Sequence, residues 1–195
     1  MSFLDALLGR THASMIGLDI STSSVKLVEL GQSASGEFVV ERFASESFEK
    51  GWITDGQIEK FDEVADAVRR VVTKSGTRTK NVAMAMPQSA VITKQIMLPA
   101  GLREEEFSLD EVSLDFCVIG PSPTSAGDVE VLIAASRKDR VQDRQGLAEA
   151  AGLKPVILDI ESHASRLAMS RIVKTLPNEG KDALVALFEI GADTT

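Results

Sequence analysis

The stretch MIGLDISTSSVKLVEL, which spans residues 15–30, decides the fold. Its two apolar runs, Met15–Ile20 and Val25–Leu30, flank a cluster of small hydroxyl residues, Ser21–Ser24. Apolar runs of this length around a turn cluster are typical of two strands in a hairpin. The stretch therefore predicts two paired strands with a tight polar turn between them.

A third strand is predicted directly after this hairpin. Residues 31–36 are rich in Gly, Ser and Ala, as in a second turn, and Glu37–Phe48 alternates apolar and polar side chains. The alternation predicts three inward-facing side chains, those of Phe38, Val40 and Phe43. The first part of the chain is thus expected to be an antiparallel meander of three strands.

A helix and a fourth strand are predicted after the meander. Apolar residues recur at spacings of three and four within Asp62–Lys74, which predicts a helix with one buried face formed by Val64, Ala67, Val68 and Val71. Gly76 is suited to end this helix in the left-handed conformation. Val82–Met86 is a short apolar run stopped by Pro87, as expected of a buried strand. This order of elements is typical of the ribonuclease-H-like, or actin-like, half-domain, an α/β fold.

Residues 88–154 are expected to form a small α+β subdomain inserted in the first one. Strands are predicted at Val91–Leu98 and around Leu114–Ile119, and a third, buried strand is predicted at Val129–Ala135. A helix is predicted over residues 138–151. Strands with one flanking helix favour an α+β unit.

The chain is then expected to return to the first subdomain. The run Val156–Asp159 predicts a strand, Glu161–Lys174 a helix, and Ala183–Ile190 a fresh apolar strand. Because that last strand leads into a Gly/Thr turn at the final residue, we expect the sequence to be truncated at the start of another domain. The expected domains are 1–87 with 155–182 (actin-like subdomain 1A), 88–154 (inserted subdomain 1C) and 183–195 (first strand of the second half).

The composition fits an ordinary globular protein and argues against several classes. The 195 residues are 44% hydrophobic and 26% charged, with a net charge of −8. Nucleic-acid binders normally carry a basic balance, so no nucleic-acid partner is expected. No run approaches the ~20 apolar residues of a membrane span. Cys117, the only cysteine, is expected to be a small buried hydrophobe, and the presence of only two histidines argues against a zinc site.

The turn of the first hairpin is a candidate site. Asp19 ends the preceding strand, where its carboxylate can hold a magnesium ion through water, and Lys26 can add a positive charge. An ordinary hairpin is an equal alternative on this segment alone, because such residues are common in turns. Backbone N–H groups and hydroxyls that converge on one point suit phosphate oxygens, and the hydroxyls here belong to Ser21, Thr22, Ser23 and Ser24.

Two later segments carry comparable chemistry. Leu187–Thr195 repeats the design of an apolar strand, an acid, Ile-Gly and hydroxyl residues. Two such hairpins facing each other across a cleft can clamp the phosphates of a nucleotide from both sides. Asp159 and Glu161 lie at a strand-to-helix junction between them, where capping and dipole stabilisation are the alternative explanation. His163 is more readily explained as a helix-surface or packed residue than as a base.

These segments together resemble the actin-like ATPase superfamily, and within it the PilM family of bacterial type IV pilus assembly proteins. FtsA and the type II secretion L proteins are the nearest relatives of that family. The resemblance covers nearly all of the chain but only the first half of the family's fold. It rests on Ile16–Val28, the strand end at Pro87, Asp159–Ala168 and Leu184–Thr195, with support from Leu98-Pro99, Leu114-Asp115-Phe116 and Val118-Ile119-Gly120-Pro121.

The resemblance implies roles for individual residues. Asp19 matches the magnesium-associated aspartate of the first phosphate motif, and Lys26 matches its basic position. Glu161 lies in the connecting-helix motif, where the family often has an acid near the metal. The implied cofactors are ATP and Mg²⁺, with Glu189 as a third metal-associated acid and no catalytic residue. The other implied phosphate ligands are Ser21, Thr22, Ser23 and Ser24 in the first motif and Gly191, Thr194 and Thr195 in the second.

Two departures from the family pattern bear on these roles. The second motif usually reads Asp-Ile-Gly, whereas this chain has Glu189-Ile190-Gly191, which puts the geometry of hydrolysis in question. About one helix of sequence is missing between Glu106 and Phe107, where the family has an acidic helix. These two residues are not expected to be covalent neighbours in the natural protein, and a genuine deletion is the alternative. We expect nucleotide binding with weak or no ATPase activity.

Three functions share such phosphate hairpins. The resemblance implies a cytoplasmic ATP-binding scaffold of the inner-membrane pilus assembly complex, which binds the cytoplasmic N-terminal peptide of PilN and reaches the membrane only through it. The pilus motor ATPases are further candidate partners. An FtsA-like division filament and a small-molecule kinase are the alternatives, and for a kinase no acid in a separate loop is a clear general base. The peptide is expected near the strand edges at Val82–Pro87 and Gln95–Leu98.

Overall fold

The computed structural model describes residues 14–99, 111–125 and 127–191. The expected gap between Glu106 and Phe107 therefore lies outside the described residues. The elements are, in chain order, β1 (Ile16–Ile20), β2 (Ser24–Gln32), β3 (Phe38–Ser47), β4 (Ile53–Thr54), β5 (Gln57–Ile58), α1 (Phe61–Ser75), β6 (Asn81–Met86), β7 (Val91–Pro99), β8 (Val112–Pro121), β9 (Asp128–Arg137), α2 (Lys138–Ala150), β10 (Lys154–Ile160) and α3 (Glu161–Val173), with 3₁₀ turns at Gln88–Ala90 and Pro177–Gly180.

Five strands form a central mixed sheet in the order β3-β2-β1-β6-β10. The first three are antiparallel neighbours, and β6 runs parallel to both β1 and β10. The meander, the helix and the fourth strand predicted from the sequence are thereby confirmed, as is the mixed α/β fold class with a central sheet. The turn between β1 and β2 lies at the end of the sheet where β6 and β10 also end, because the three strands are parallel.

The main core lies between this sheet and α1. Alternate residues of β1 point to that face, so Ile16, Leu18 and Ile20 are at most 3% exposed. Gly76 ends α1 with a φ of 63°, the left-handed conformation that was predicted. The predicted apolar stripe of α1 is fully buried, and it consists of Val64, Ala67, Val68 and Val71.

A second sheet of three antiparallel strands has the order β7-β9-β8. The helix that follows β9 lies against both sheets, and its Val141 packs against the cluster that contains Val91 of β7. Leu147 and Ala148 of α2 are completely buried in the same core as Val68 and Ile16. This packing arises because α2 connects β9 to β10, which is a strand of the larger sheet.

The predicted inward orientation of three aromatic and aliphatic residues of β3 is wrong. Phe38, Val40 and Phe43 are 49%, 64% and 63% exposed. The β2–β3 register pairs the buried Leu27 with Ala44, so Ala44 takes the core position and its neighbour Phe43 points to the opposite face. A register shift after Arg42 reverses the alternation, so Val40 and Phe38 pair with the exposed Leu30 and Gln32.

Two predictions of burial in the small sheet are also wrong. Within Val129–Ala135 only Val131 is buried, and the other side chains are half-buried. Cys117 is exposed. It lies on β8, an edge strand, opposite Leu132 of β9. Both differences arise because this sheet is only partly covered by the residues that the structure describes.

Residues 183–191 form no strand, although Ala183–Ile190 was predicted to be one. Their apolar side chains lie in solvent, with Leu184 fully exposed and Phe188 and Ile190 81% and 80% exposed. A strand requires a neighbour for its backbone hydrogen bonds, and none of the described strands pairs with this segment. No helix within the described ranges combines the length and apolarity needed to cross a bilayer.

Candidate functional site

The turn between β1 and β2 is closed by hydrogen bonds between its first and last residues. The backbone N–H of Ser21 donates to the carbonyl of Ser24 at 2.9 Å, and the Ser21 hydroxyl donates to the same oxygen at 3.1 Å. The two serine hydroxyls lie 3.2 Å apart. The backbone N–H of Phe48 also donates to the carbonyl of Ser23, at 2.7 Å. The turn is thus tight and anchored from the residue that follows β3, with Thr22 half-buried and Ser23 exposed at its tip.

The acid and the base that flank this turn contact each other. Asp19 and Lys26 are cross-strand partners, and the Lys26 ammonium donates to the Asp19 carboxylate at 3.0 Å. Both side chains are about half exposed, at 51% and 49%. The predicted positive charge beside the turn is therefore present, but a carboxylate shares it.

Arg144 is a part of the site that the sequence analysis missed. It is only 2% exposed, and its Nη1 donates to the backbone carbonyl of Ile20, one residue before the turn, at 2.7 Å. Burial lowers the pKa of Arg144, and the negative charges of Glu161 and Asp19 oppose that shift. The signal that was available is its position on α2, because Arg144 lies in register with the apolar residues Leu147 and Ala148, three and four positions later.

Glu161, the first residue of α3, lies within electrostatic reach of these groups. Burial is the largest cause that raises its pKa, and the negative charges of Asp19 and Glu189 add to the effect. The positive charge of Arg144 acts in the opposite direction. Of the three predicted acids, Glu161 is thus the one whose pKa is raised, with the other two near enough to contribute.

Glu189 is linked to the same end of the molecule by one hydrogen bond. The hydroxyl of Ser165 on α3 donates to its carboxylate at 3.3 Å. Gly191, which follows two residues later, is exposed. Thr194 and Thr195 lie outside the described residues, so the role of the second phosphate motif stays a prediction.

The three predicted metal-associated acids do not converge as a ligand set. Within the described ranges, no three His, Cys, Asp or Glu side chains come together as a group that could hold a metal ion. Asp19 contacts Lys26, Glu161 is half-buried at the start of α3, and Glu189 contacts Ser165. The hydroxyls and cations at the turn match the chemistry of phosphate oxygens. The acids do not match direct coordination of Mg²⁺ by three carboxylates.

The two strand edges predicted to receive a peptide differ in availability. β6 lies between β1 and β10, so the stretch Val82–Pro87 offers no free edge. β7 pairs only with β9 among the described strands, which leaves the other edge of Val91–Pro99 open. Ile92 and Met97 on this strand are 76% and 53% exposed. Only the second of the two predicted regions is therefore suited to strand addition.

Comparisons with known proteins add independent information. The model of the family described as type IV pilus assembly protein PilM matches residues 17–195. A chain of the PilM-PilN type IV pilus biogenesis complex is similar with a TM-score of 0.72 and 25% identity, over 84% of this chain and 52% of that one. The chain thus spans about half the length of that solved relative.

Two further solved structures are similar at lower identity. One is the cytoplasmic domain of EpsL, an inner membrane component of the type II secretion system of Vibrio cholerae. It has a TM-score of 0.41 and 15% identity, over 75% of this chain and 57% of that one. The other is the PPX-GPPA enzyme of Aquifex aeolicus, with a TM-score of 0.45 and 10% identity over 84% and 42% of the two chains.

Proposed function

The chain belongs to the type IV pilus assembly protein PilM family, and on this premise we propose that it is a nucleotide-binding scaffold in the assembly of type IV pili. One observation carries the proposal. The similarity to a chain of the PilM-PilN complex extends over 84% of this chain with a TM-score of 0.72. The match of the family over residues 17–195 agrees with it.

The proposed nucleotide site is the turn Ser21–Ser24. Its hydroxyls, its backbone N–H groups and the cation of Lys26 have the chemistry that phosphate oxygens require. The proposed ligand is ATP with Mg²⁺, which neutralises phosphate charge. Because the acids do not converge, we assign Asp19 to the ion through water and leave Glu161 and Glu189 as neighbouring charges. Gly191, Thr194 and Thr195 remain the proposed ligands of the second motif.

Binding with weak or no hydrolysis fits the described residues better than catalysis. The family usually has an aspartate where this chain has Glu189, whose carboxylate accepts a hydrogen bond from Ser165. A small-molecule kinase requires a base aimed at a substrate hydroxyl, and no such residue is assigned among the described ones. An FtsA-like filament is the other alternative. No observation on the described residues favours either of them over the scaffold.

The proposed partner is the N-terminal cytoplasmic peptide of PilN. The open edge of β7 provides backbone hydrogen-bond groups for an added strand, and exposed apolar side chains such as Met97 provide contacts for its anchors. Through this peptide a cytoplasmic protein would be held at the inner membrane, within the assembly complex and within reach of the pilus motor ATPases.

Fluorescence anisotropy of a labelled PilN peptide against the complete protein tests the scaffold function. We expect saturable binding that is lost when the apolar residues of the peptide are replaced by Asp, since each replacement would bury an unpaired charge. A peptide with its exposed polar residues replaced by Asp is the control and should still bind. Absence of saturable binding, or equal binding of the apolar-to-Asp peptide, would contradict the scaffold function.

A further inference from the structure

Arg144 is buried, and no carboxylate of the described residues is paired with it. Its side chain is 2% exposed and its Nη1 donates to the Ile20 carbonyl at 2.7 Å, but its Nε has no hydrogen-bond partner among the described residues. Asp19 and Glu161 lie within electrostatic reach, yet neither forms an ion pair with it. The guanidinium is thus held mainly by one backbone oxygen.

Helix packing alone does not account for an arginine at this position. The neighbouring positions of the same helix face are Leu147 and Ala148, both completely buried. A leucine or methionine in place of Arg144 would complete this apolar face without a buried charge, which is costly unless it is well paired. A buried polar group that is only partly satisfied calls for another explanation.

The hydrogen-bond acceptor of Arg144, the Ile20 carbonyl, suggests that explanation. Ile20 is the last residue of β1, and the β1–β6 pairing ends two residues earlier, at Leu18. The hydrogen bond from Arg144 therefore holds the strand where the ladder on that side no longer does, directly before Ser21. Because Ser21 closes the turn through the Ser24 carbonyl, a displacement of Ile20 would be transmitted to the whole turn.

We propose that Arg144 is a positioning residue, which holds the Ile20 carbonyl and thereby fixes the Ser21–Ser24 turn in the conformation that receives phosphate. The consequence for nucleotide binding rests on the proposed function, whereas the effect on the turn does not. α2 follows β9 without an intervening loop. The contact accordingly connects the candidate phosphate turn to the three-stranded sheet.

Hydrogen exchange of the nucleotide-free complete protein tests the effect on the turn. The amides of Ser21 and Phe48 are the probes, because both donate to carbonyls within the turn. Arg144→Met keeps an apolar stem but removes the donors, and we expect both amides to exchange about tenfold faster or more. The core amide of Val68 should be unaffected. Arg144→Lys, which keeps a charge and a donor, should largely restore the rate. Arg140→Met, on the same helix, is the matched control and should exchange as the unaltered protein does.

Nucleotide titrations of the same variants separate positioning from a general structural effect. Arg144→Met should lower the affinity for ATP by about tenfold, since the phosphates contact the turn, and should leave the affinity for adenosine unchanged. A similar loss for ATP and adenosine contradicts the positioning role. If the unaltered protein binds no ATP while the exchange result holds, the nucleotide function fails and the positioning of the turn stands.

The exchange rates decide the proposal. Unchanged exchange of Ser21 and Phe48 in folded Arg144→Met protein overturns it. If Arg144→Met does not fold, Arg144→Gln replaces it with the same expectation, because its neutral amide is shorter and carries no charge. Normal exchange of the two amides in that variant overturns the proposal equally.

Discussion

At the scale of single residues, Asp19 competes with any phosphate for the charge of Lys26. The two side chains are 3.0 Å apart and half exposed, and such surface pairs contribute only about 0–1 kcal/mol to stability. Phosphate bound at the turn would carry a negative charge close to the Asp19 carboxylate. A cation at Asp19 would remove this repulsion and leave Lys26 to the phosphate.

Replacing Asp19 with Ala should therefore have opposite effects with and without magnesium. In the presence of Mg²⁺ we expect the affinity for ATP to fall by about tenfold, whereas without Mg²⁺ it should stay equal or rise because a repulsive charge is gone. Calorimetry on the complete protein measures both, and Asp143→Ala, an exposed change on α2, is the control. Unchanged affinity for ATP in the presence of Mg²⁺ would show that Asp19 does not contribute to binding of the ion.

Glu29 provides a second prediction at this scale, through pH. It is 5% exposed. The hydroxyl of Thr79 is the largest cause that lowers its pKa below the ordinary 4.5, followed in the same direction by the hydroxyls of Thr77 and Ser14 and the charge of Arg42, all against the effect of burial. A carboxylate with a lowered folded pKa stabilises the fold above its unfolded pKa. This contribution is lost as the pH falls through the folded value.

Glu29→Gln should accordingly lower the free energy of unfolding at neutral pH and make it depend less on pH. Urea unfolding at pH 7 and at about pH 3 measures both proteins. We expect the difference in free energy of unfolding between the variant and the unaltered protein to shrink at the lower pH, because the glutamate then loses its charge. Glu37→Gln, in the exposed turn before β3, should change neither value. A constant difference between Glu29→Gln and the unaltered protein at both pH values would contradict this account.

At the scale of elements, α2 contributes Leu147 to the main core beneath the larger sheet. Leu147 is completely buried in the main core, whereas Ile92 of β7 is 76% exposed. Leu147→Ala should cost about 2–5 kcal/mol of unfolding free energy, as in other large-to-small core changes. Ile92→Ala should cost less than about 1 kcal/mol. Denaturant unfolding of the two variants compares them directly, and equal losses would place α2 outside the main core.

Elements whose burial follows from local periodicity were predicted well. The stripe of α1, with Val68 at its centre, repeats at three and four residues and needs no knowledge of the rest of the fold. The hairpin β4–β5 was missed although Asp55-Gly56 is a favoured turn pair, and both residues have positive φ values of 51° and 75°. Residues 183–191 have the composition of a strand, but a strand also needs a partner, which composition does not provide.

At the scale of the whole molecule, the order of elements predicted the sheet, whereas long-range contacts escaped prediction. The turn between β1 and β2 was predicted correctly because its residues are consecutive. Arg144 contacts Ile20 across 124 positions of sequence, so no local pattern connects the two. The inward face of β3 was also mispredicted, because the register with β2 and the position of α1, not the alternation itself, decide which face is buried.

The two edges of the small sheet allow the last prediction, which concerns where the proposed PilN peptide would bind. β7 and β8 are both edge strands. β7 is the one attached to the larger subdomain through the 3₁₀ turn Gln88–Ala90, where Gln88 accepts a hydrogen bond from Ser162 of α3. A peptide on β7 would thus begin beside α3, whereas β8 lies at the opposite edge of the small sheet.

Met97→Asp on β7 should therefore weaken peptide binding by about tenfold or more, because a charge would be placed against the apolar anchors of the peptide. Val118→Asp on β8 is the matched control, since the two side chains are 53% and 56% exposed, and it should bind as the unaltered protein does. Anisotropy at low and high salt measures both variants. Binding by the unaltered protein should change little with salt, because backbone and apolar contacts are screened less than exposed charges. Loss of binding in Val118→Asp with normal binding in Met97→Asp would move the peptide to the opposite edge of the sheet, away from the turn that Arg144 holds.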